Sequence, residues 1–390
     1  MIHTAAKIFS VVGAVGTMAC LAFYGLCLGG AVAFLRRRRG ARIRPAQPMP
    51  PVSILKPLKG ADPEMYENFR SHFVQEYENY EIIFGVSDRN DPAVRVAQRL
   101  QQEFSQPAVR LVVCEENLGV NTKVSNLAQM LRQARHEYIV VNDSDIRAGQ
   151  DYLRTVISPL LMEQAPRVGL VTCLYRGIAA PTLASRLESL GISTDFAAGV
   201  LAARELERGL RFGLGSTLAF RRSDLEEIGG FEAFADYLAD DYQLGHRLAG
   251  RGLAVELSDT VVETYLPRYS IAQLVSHQLR WARTVRGSRP GGYAGLLLTF
   301  GVPWALITLA CSGGNGWAWG LLTTTIAVRI ALALTVGLSV LQDRQVPALL
   351  PLLLLRDLLA PLVWLGGLFG NTIVWRGEKF TLRNGRLTRS

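Results

Sequence analysis

The run "EYIVVNDSDIR" (residues 137–147) drives four β-branched or aromatic residues straight into Asp143-Ser144-Asp145, two carboxylates with one small residue between them. A strand that ends in two negative charges in nearly the same place calls for a cation. Hard divalent ions such as Mg²⁺ or Mn²⁺ take oxygen ligands, typically one or two carboxylates completed by phosphate oxygens. A second acidic pair, Asp240-Asp241 in "YLADDYQLGHRL" (237–248), opens a helical pattern, and Asp88 closes another apolar run. A lone Asp after a strand ordinarily caps a helix, and Asp62, Asp151 and Asp224 read that way. Asp88 also has a local reading, as part of a turn with Asn90-Asp91-Pro92.

The elements that must position these acids alternate in kind. "PVSILKP" (51–57), "EIIFGVS" (81–87), "VRLVVCE" (109–115), "EYIVVND" (137–143) and "VGLVTC" (168–173) are short β-rich runs. Helix-compatible stretches at 62–76, 92–104 and 122–135 separate the first four, which is the pattern of successive βαβ units and a mostly parallel sheet. The first four runs end in Lys56, Asp88, Glu115/Glu116 and Asp143/Asp145. Open α/β sheets bind ligands beyond the carboxyl ends of their strands, so these groups are expected to share one edge. Neither GxGxxG after the first strand nor GxxxxGK[ST] is present, which excludes the dinucleotide and P-loop readings.

Apolar residues make up 49% of the 390 and gather at both ends of the chain. Residues 8–35 carry no charge and are long enough to cross ~30 Å of hydrocarbon. The cluster Arg36-Arg37-Arg38-Arg39, Arg42 and Arg44 follows them, whereas only His3 and Lys7 precede. That asymmetry and length predict a retained anchor rather than a signal peptide, with the N-terminus outside and the following domain in the cytoplasm. Three further apolar blocks, at 293–311, 316–341 and 347–375, are interrupted by Arg329 and by Arg356-Asp357. Charges at bilayer depth need a partner or a wet cavity, which makes the last block the candidate for a re-entrant or interfacial segment. The basic tail "WRGEKFTLRNGRLTRS" favours an inside location, so the parity of these crossings is open. The net charge of +9 lies beside the apolar blocks, where it meets anionic headgroups and does not indicate nucleic acid. Five cysteines form no metal spacing or disulfide framework, which suits a reducing cytoplasmic setting.

With "SHQLRWARTVRGSRP" (276–290) added, Asp88, Asp143-Ser144-Asp145, Asp240-Asp241 and Arg280-Trp281 stand in the order of the D, DxD, ED and (Q/R)xxRW motifs. Over residues 50–290 the chain thus resembles the GT-A-fold inverting glycosyltransferases. "VSILKPLKGADPEMYENFRSHFVQEYENYEIIFGVSD", "NTKVSNL", "VNDSDIR" and "GLVTCLYRG" resemble the ceramide glucosyltransferase-like branch. "LADDYQLG", "LSDTVVET" and "HQLRWARTVRGSRPGGY" are most similar to bacterial enzymes associated with hopanoid biosynthesis.

The resemblance implies roles. Lys56 and Asp88 stand at the nucleotide end, Asp143 and Asp145 bind metal and nucleotide-sugar, and Asp145 is the direct metal ligand. Asp241 is the general base; were the register shifted by one, Asp240 would take that role and Asp241 would cap the helix. Asp240 replaces the usual Glu. Lys123 is a phosphate-side or acceptor-side cation, or else a solvated helix residue. Arg280 stabilises the leaving diphosphate with Arg283 and Arg286 along the same helix face, while Trp281 also reads as an interfacial anchor. His277 replaces the usual first residue of the last motif, which argues against a processive polysaccharide synthase.

The expected organisation is an anchor at 8–35, a cytoplasmic α/β GT-A domain at 45–269, and a basic interfacial helix at 270–290. A membrane region of two or three helices at 291–375 and a basic tail at 376–390 complete it. The implied protein sits in a bacterial inner membrane and uses Mg²⁺ or Mn²⁺. Its donor is a UDP-sugar, UDP-N-acetylglucosamine on the hopanoid side or UDP-glucose on the ceramide side, and its acceptor is a hopanoid or ceramide. Transfer to polyprenyl phosphate and a non-catalytic, degenerate transferase domain are the remaining alternatives.

Overall fold

Short runs of β-branched and aromatic residues become the strands of an eight-stranded sheet. In the computed structural model, which describes residues 2–40, 48–375 and 377–389, these are β1 (Val52–Pro57), β2 (Tyr80–Val86), β3 (Ala108–Val113) and β4 (Tyr138–Val141). They are joined by β5 (Ile146–Arg147), β6 (Val168–Ile178), β7 (Leu218–Arg221) and β8 (Ala254–Tyr265), in the order β3-β2-β1-β4-β7-β6-β8-β5. Arg42, Arg44 and position 45, where the expected domain begins, lie outside the described residues.

The first four strands are mutually parallel, as the βαβ pattern requires, and β6 and β8 are also parallel. β7 runs antiparallel to both β4 and β6. The run at 168–173 therefore does not extend the parallel series beside β4: β7, reached later in the chain, takes that place. The fold is α/β with a mostly parallel sheet. Ile54, Phe69, Ile82, Phe84, Val140, Tyr152 and Val171 lie in one buried core between sheet and helices. β1 is buried at every position, which is why it reads as a continuous apolar run.

The chain divides into two compact units. One, Arg38–Ala180 with Glu207–Pro267 and Phe380–Ser390, holds the sheet. It is not the unbroken stretch 45–269, because the apolar segment Pro181–Leu206 belongs to the other unit. The tail, expected as a basic extension, forms strands β10 (Glu378–Arg383) and β11 (Arg386–Arg389), preceded in the chain by β9 (Thr372–Trp375). Asn384 and Gly385 join β10 to β11 with φ of 49° and 78°, the two positive values that a type I′ hairpin turn needs.

The other unit comprises Met1–Arg37, Pro181–Leu206 and Arg268–Lys379. Its apolar helices Thr4–Gly40, Gly316–Val340 and Val346–Leu368 are each long enough to cross a membrane. Pro290–Thr299 and Gly301–Cys311 form a fourth pair bent by 54°. The break thus falls in the first C-terminal block and not in the last. Pro303 in the opening turn of Gly301–Cys311 has no N–H to give, which suits a helix start rather than a helix interior. The charges of the last block are paired instead: Arg329 donates to Asp357 at 2.8–3.1 Å and to Asp195, and Arg356 Nε lies 3.3 Å from Asp195.

At the opposite end of β2 from the acids, Glu81 is buried. Its Oε1 accepts from Ser53 Oγ at 2.7 Å and from the Arg135 N–H at 2.8 Å, and its Oε2 accepts from Arg110. Burial alone would raise its pKa; these donors more than offset that and hold it below the ordinary value. The stability it contributes is therefore present above the unfolded Glu pKa of about 4.3 and is lost as pH falls through the lower folded value. Glu81→Gln should cost about 1–3 kcal/mol at neutral pH. The difference in melting temperature from the parent should close as the pH is lowered through and below 4. A pH-independent difference would assign the loss to packing.

Candidate active site

β4 ends by turning, and the turn decides where its carboxylates go. Asp143 O accepts from the Ile146 N–H, which tightens Asp143–Ile146 into a turn and lets the short β5 pair with β8. Asp145, on the far limb, accepts from Thr264 Oγ1 of β8 at 2.6 Å. Ser144 between them donates to Asp62, so Asp62 anchors this turn rather than capping a helix. From below, the fully buried Lys56 at the end of β1 donates through Nζ to Asp143 O at 3.1 Å. Burial pushes the Lys56 ammonium down to about 7, against the pull of Asp145 and Asp143. With no exposed surface, Lys56 acts on the edge through the Asp143 turn.

The helix Thr122–Gln133 begins beside this turn. Asn121 caps it, accepting from the Val124 N–H, and Lys123 sits in its first turn. Lys123 is not a solvated helix residue: its Nζ lies 2.8 Å from Asp143 Oδ1 and 2.9 Å from Asp240 Oδ2. Burial alone would lower the Lys123 pKa, but Asp143 and Asp240 outweigh it and hold it above the ordinary lysine value.

Asp240 and Asp241 open the helix Asp240–Gly250, where carboxylates meet the positive end of the helix dipole. Asp241 Oδ1 accepts from the Tyr242 N–H at 2.7 Å, and Oδ2 accepts from the Gly215 N–H at 2.9 Å. A Cβ added to Gly215 would stand 2.9 Å from Asp143 Oδ2 and 3.4 Å from Asp241 Oδ2, so both carboxylates converge on this glycine. Gly215, in the run "FGLGSTLAF" (212–220), is the point where the two carboxylates meet.

Burial and the neighbouring Asp143 raise Asp145 to about 6, and burial and Asp240 raise Asp241 to about 6. Four motif acids from two separate stretches thus crowd one strand edge with a surplus of negative charge. Among the described residues no three His, Cys, Asp or Glu side chains form a complete metal cage. The donor set is instead one or two carboxylates at a charge-rich edge. That fits a Mg²⁺ or Mn²⁺ ion whose remaining ligands come from phosphate and water.

Asp88 follows β2 at the same edge, exposed, and its Oδ1 accepts from the Asn90 N–H at 2.9 Å, as the turn reading requires. Asp151 holds the N-cap position of Tyr152–Ile157, but its carboxylate does not cap. Asp224 lies inside Arg222–Glu227 and pairs with Arg167 at 2.6 Å and Arg221 at 3.3 Å.

His277, Arg280 and Trp281 belong to the helix-rich unit, on the helix Ile271–Ser288. Ser270 and Gln273 close a capping box at its start. His277 Nδ1 lies 3.1 Å from the buried Glu188, which also accepts from Gln278. The imidazole stacks on Tyr269, and Trp281 meets Phe196 edge-on at 5.6 Å. Arg283 and Arg286, expected to join Arg280 at the leaving diphosphate, are engaged by backbone carbonyls. They donate to the carbonyls of Gly367, Leu368, Phe369, Gly370 and Thr372, at and just beyond the end of Leu353–Leu368. Orphan carbonyls at a helix C-terminus draw cations in this way.

Glycosyl transferase family 21 matches residues 17–388. Ceramide glucosyltransferase 3 of Caenorhabditis elegans is 26% identical over 253 residues, 65% of this chain and 54% of that protein's length. Ceramide glucosyltransferase 1 of the same organism is 23% identical over 358 residues, 87% of this chain and 73% of that one. Among solved structures, the mannosyltransferase PcManGT from Pyrobaculum calidifontis, in complex with GDP-Man and Mn²⁺, is similar with a TM-score of 0.46. It is 19% identical, and the match covers 88% of this chain and 99% of that one.

Proposed function

We propose that this chain, which belongs to glycosyl transferase family 21, transfers a hexosyl group from a UDP-sugar to a hydroxyl of a membrane lipid with inversion at the anomeric carbon. The observation that carries the reading is the convergence of Asp143 and Asp241 on Gly215, with Lys123 tying Asp143 to Asp240. Acids on the donor side and on the base side are thereby held within one small volume at a strand edge, where α/β sheets take their ligands.

In this reading Asp241 takes the proton of the acceptor hydroxyl as its oxygen attacks the anomeric carbon. A buried carboxylate raised to about 6 is a better proton acceptor than an exposed one, and its two backbone donors fix its aim. Asp143 and Asp145 would hold a Mg²⁺ or Mn²⁺ ion, which when bound supplies positive charge to the departing diphosphate. Lys56 and Asp62 keep the Asp143–Asp145 turn in place. Lys123 brings a positive charge to the same edge, and Asp88 takes the nucleoside end. On the family resemblance, Arg280 serves the leaving group, Trp281 belongs to the same motif, and His277 is a substrate-binding residue. A lipid acceptor explains why a nucleotide-sugar enzyme carries membrane-length helices. In this reading the chain sits in a bacterial inner membrane with its sheet on the cytoplasmic face.

The acceptor we assign is a hopanoid with UDP-N-acetylglucosamine as donor, from the stretches "LADDYQLG" and "HQLRWARTVRGSRPGGY". The second reading, ceramide with UDP-glucose, is favoured by the names of the curated relatives. The deciding experiment offers both donors with both acceptors to the purified full chain in detergent with Mn²⁺ or Mg²⁺, and reads products by mass spectrometry. An N-acetylhexosamine on the hopanoid supports the first reading and a hexose on ceramide the second. Silence with all four pairs from a folded protein that binds UDP would overturn the acceptor class.

A further inference from the structure

From its contacts with the segment before Asp240, we infer that the C-terminal hairpin β10–β11 is a positioning element for the general base, not a membrane-facing tail. The inference rests on the assignment of Asp241 as base. Residues 380–390 belong to the same compact unit as the sheet, although 112 residues of the other unit, Arg268–Lys379, lie between them and Pro267. Phe380, Leu382 and Leu387 are buried, each 4% exposed or less. The polar edge of β11 docks on residues 236–238. The Leu387 N–H donates to Asp236 O at 2.7 Å, and the Leu238 N–H donates to Gly385 O at 3.2 Å. Between these bonds Tyr237 and Arg386 form an antiparallel bridge. Arg386 Nε donates to the Tyr237 hydroxyl at 3.0 Å, and its guanidinium lies 5.1 Å from the ring centroid.

The opposite side of the same segment is held by the loop that launches Lys123. Asp236 Oδ1 accepts from the Val120 N–H at 2.9 Å, and Asn121 Nδ2 donates to Tyr237 O at 2.7 Å. The Asn121 N–H donates to Ala235 O at 2.8 Å. Residues 235–238 are thus a turn segment, with one bridge at Tyr237, clamped between the Lys123 loop and the hairpin, and Asp240 and Asp241 follow within three residues. Removing the hairpin leaves the loop side of the clamp and frees the other. Misplacement of a catalytic group by a fraction of an ångström to an ångström costs up to about 10²-fold in rate.

A topological consequence follows. The sheet precedes residues 268–379 and the hairpin follows them, so both ends of that segment lie on one side of the membrane and its crossings are even in number.

The test uses truncation after Lys379, Arg386→Ala with Arg386→Lys as its rescue, and single cysteines at Asn384 and Asp88, with hydrogen exchange, transfer kinetics and cysteine labelling as readouts. Truncation should lower kcat ten-fold or more with the KM for the donor little changed. Arg386→Ala, which keeps the backbone bonds, should lower kcat less and be partly rescued by Arg386→Lys. Amide exchange should accelerate in 235–243 and stay unchanged in β1, β2 and β4, a readout that needs no substrate and stands even if the assignment of Asp241 fails. A cysteine at Asn384 should react in intact cells only with a membrane-permeant reagent, as one at Asp88 should. Unchanged exchange in 235–243, acceleration throughout the sheet, or labelling of the two cysteines from opposite sides would each overturn the inference.

Discussion

Asp241→Asn is expected to lower kcat by about 10²–10⁴-fold while leaving UDP binding intact, the range that a positioned general base contributes. The carboxylate is held through both oxygens by the N–H groups of Gly215 and Tyr242. An amide keeps the shape but offers one acceptor where two are needed, so one N–H loses its partner at a cost of about 1–3 kcal/mol. Part of the effect therefore appears as a lower melting temperature, and the rate has to be measured on folded protein. UDP affinity, by calorimetry, separates the two: the Asp143–Asp145 turn lies on other elements and should bind as before. Asp240→Asn is the control. It weakens the pair with Lys123 but leaves Asp241 aimed by its two backbone donors, so its loss should be the smaller. A larger loss for Asp240→Asn would move the base by one residue and leave Asp241 as the group that steadies the helix start.

What could be read from the sequence follows a physical division. The strands β1 to β4 and the acids at their ends were legible because a parallel βαβ series writes itself locally, in apolar runs of five to seven residues closed by a polar group. The pairing of Arg329 with Asp195 and Asp357 was foreseen as a need for partners, but its members are 134 and 28 residues away and no local pattern names them. The same holds for Asp62, which reads as a cap and serves instead to hold Ser144. Gly215 and Lys123 gain their meaning only once β7 inserts beside β4, an antiparallel neighbour that the βαβ rhythm does not announce. The hairpin is the opposite case. Asn384-Gly385 between "EKFTLR" and "RLTR" is a strong short-range turn signal. The positive charge of the tail bears on which side of the membrane it lies and says nothing of the hairpin.

Lys123→Met is expected to destabilise the protein in metal-free buffer by on the order of 2–3 kcal/mol. Breaking a buried ion pair costs about 3–5 kcal/mol, and Asp143, whose side chain is 41% exposed, brings the figure toward the lower end. Among the described residues, Lys123 is the one cation that bridges Asp143 to Asp240, so its removal leaves both carboxylates facing a methionine. A divalent ion bound by Asp143 and Asp145 would restore part of the missing charge. In the parent, the same ion has to draw Asp143 away from an ammonium group 2.8 Å distant. Mn²⁺ should therefore bind Lys123→Met more tightly, and by mass action raise its melting temperature more than that of the parent. Transfer should fall as well, since the donor then meets an edge with one positive charge fewer. The two effects move in opposite directions, and that opposition is the test. Mn²⁺ affinity, measured by electron paramagnetic resonance on the protein without donor, distinguishes a lysine that stands in for the metal from one that helps to hold it. Equal or weaker Mn²⁺ binding in Lys123→Met would place Lys123 with the groups that build the ion site.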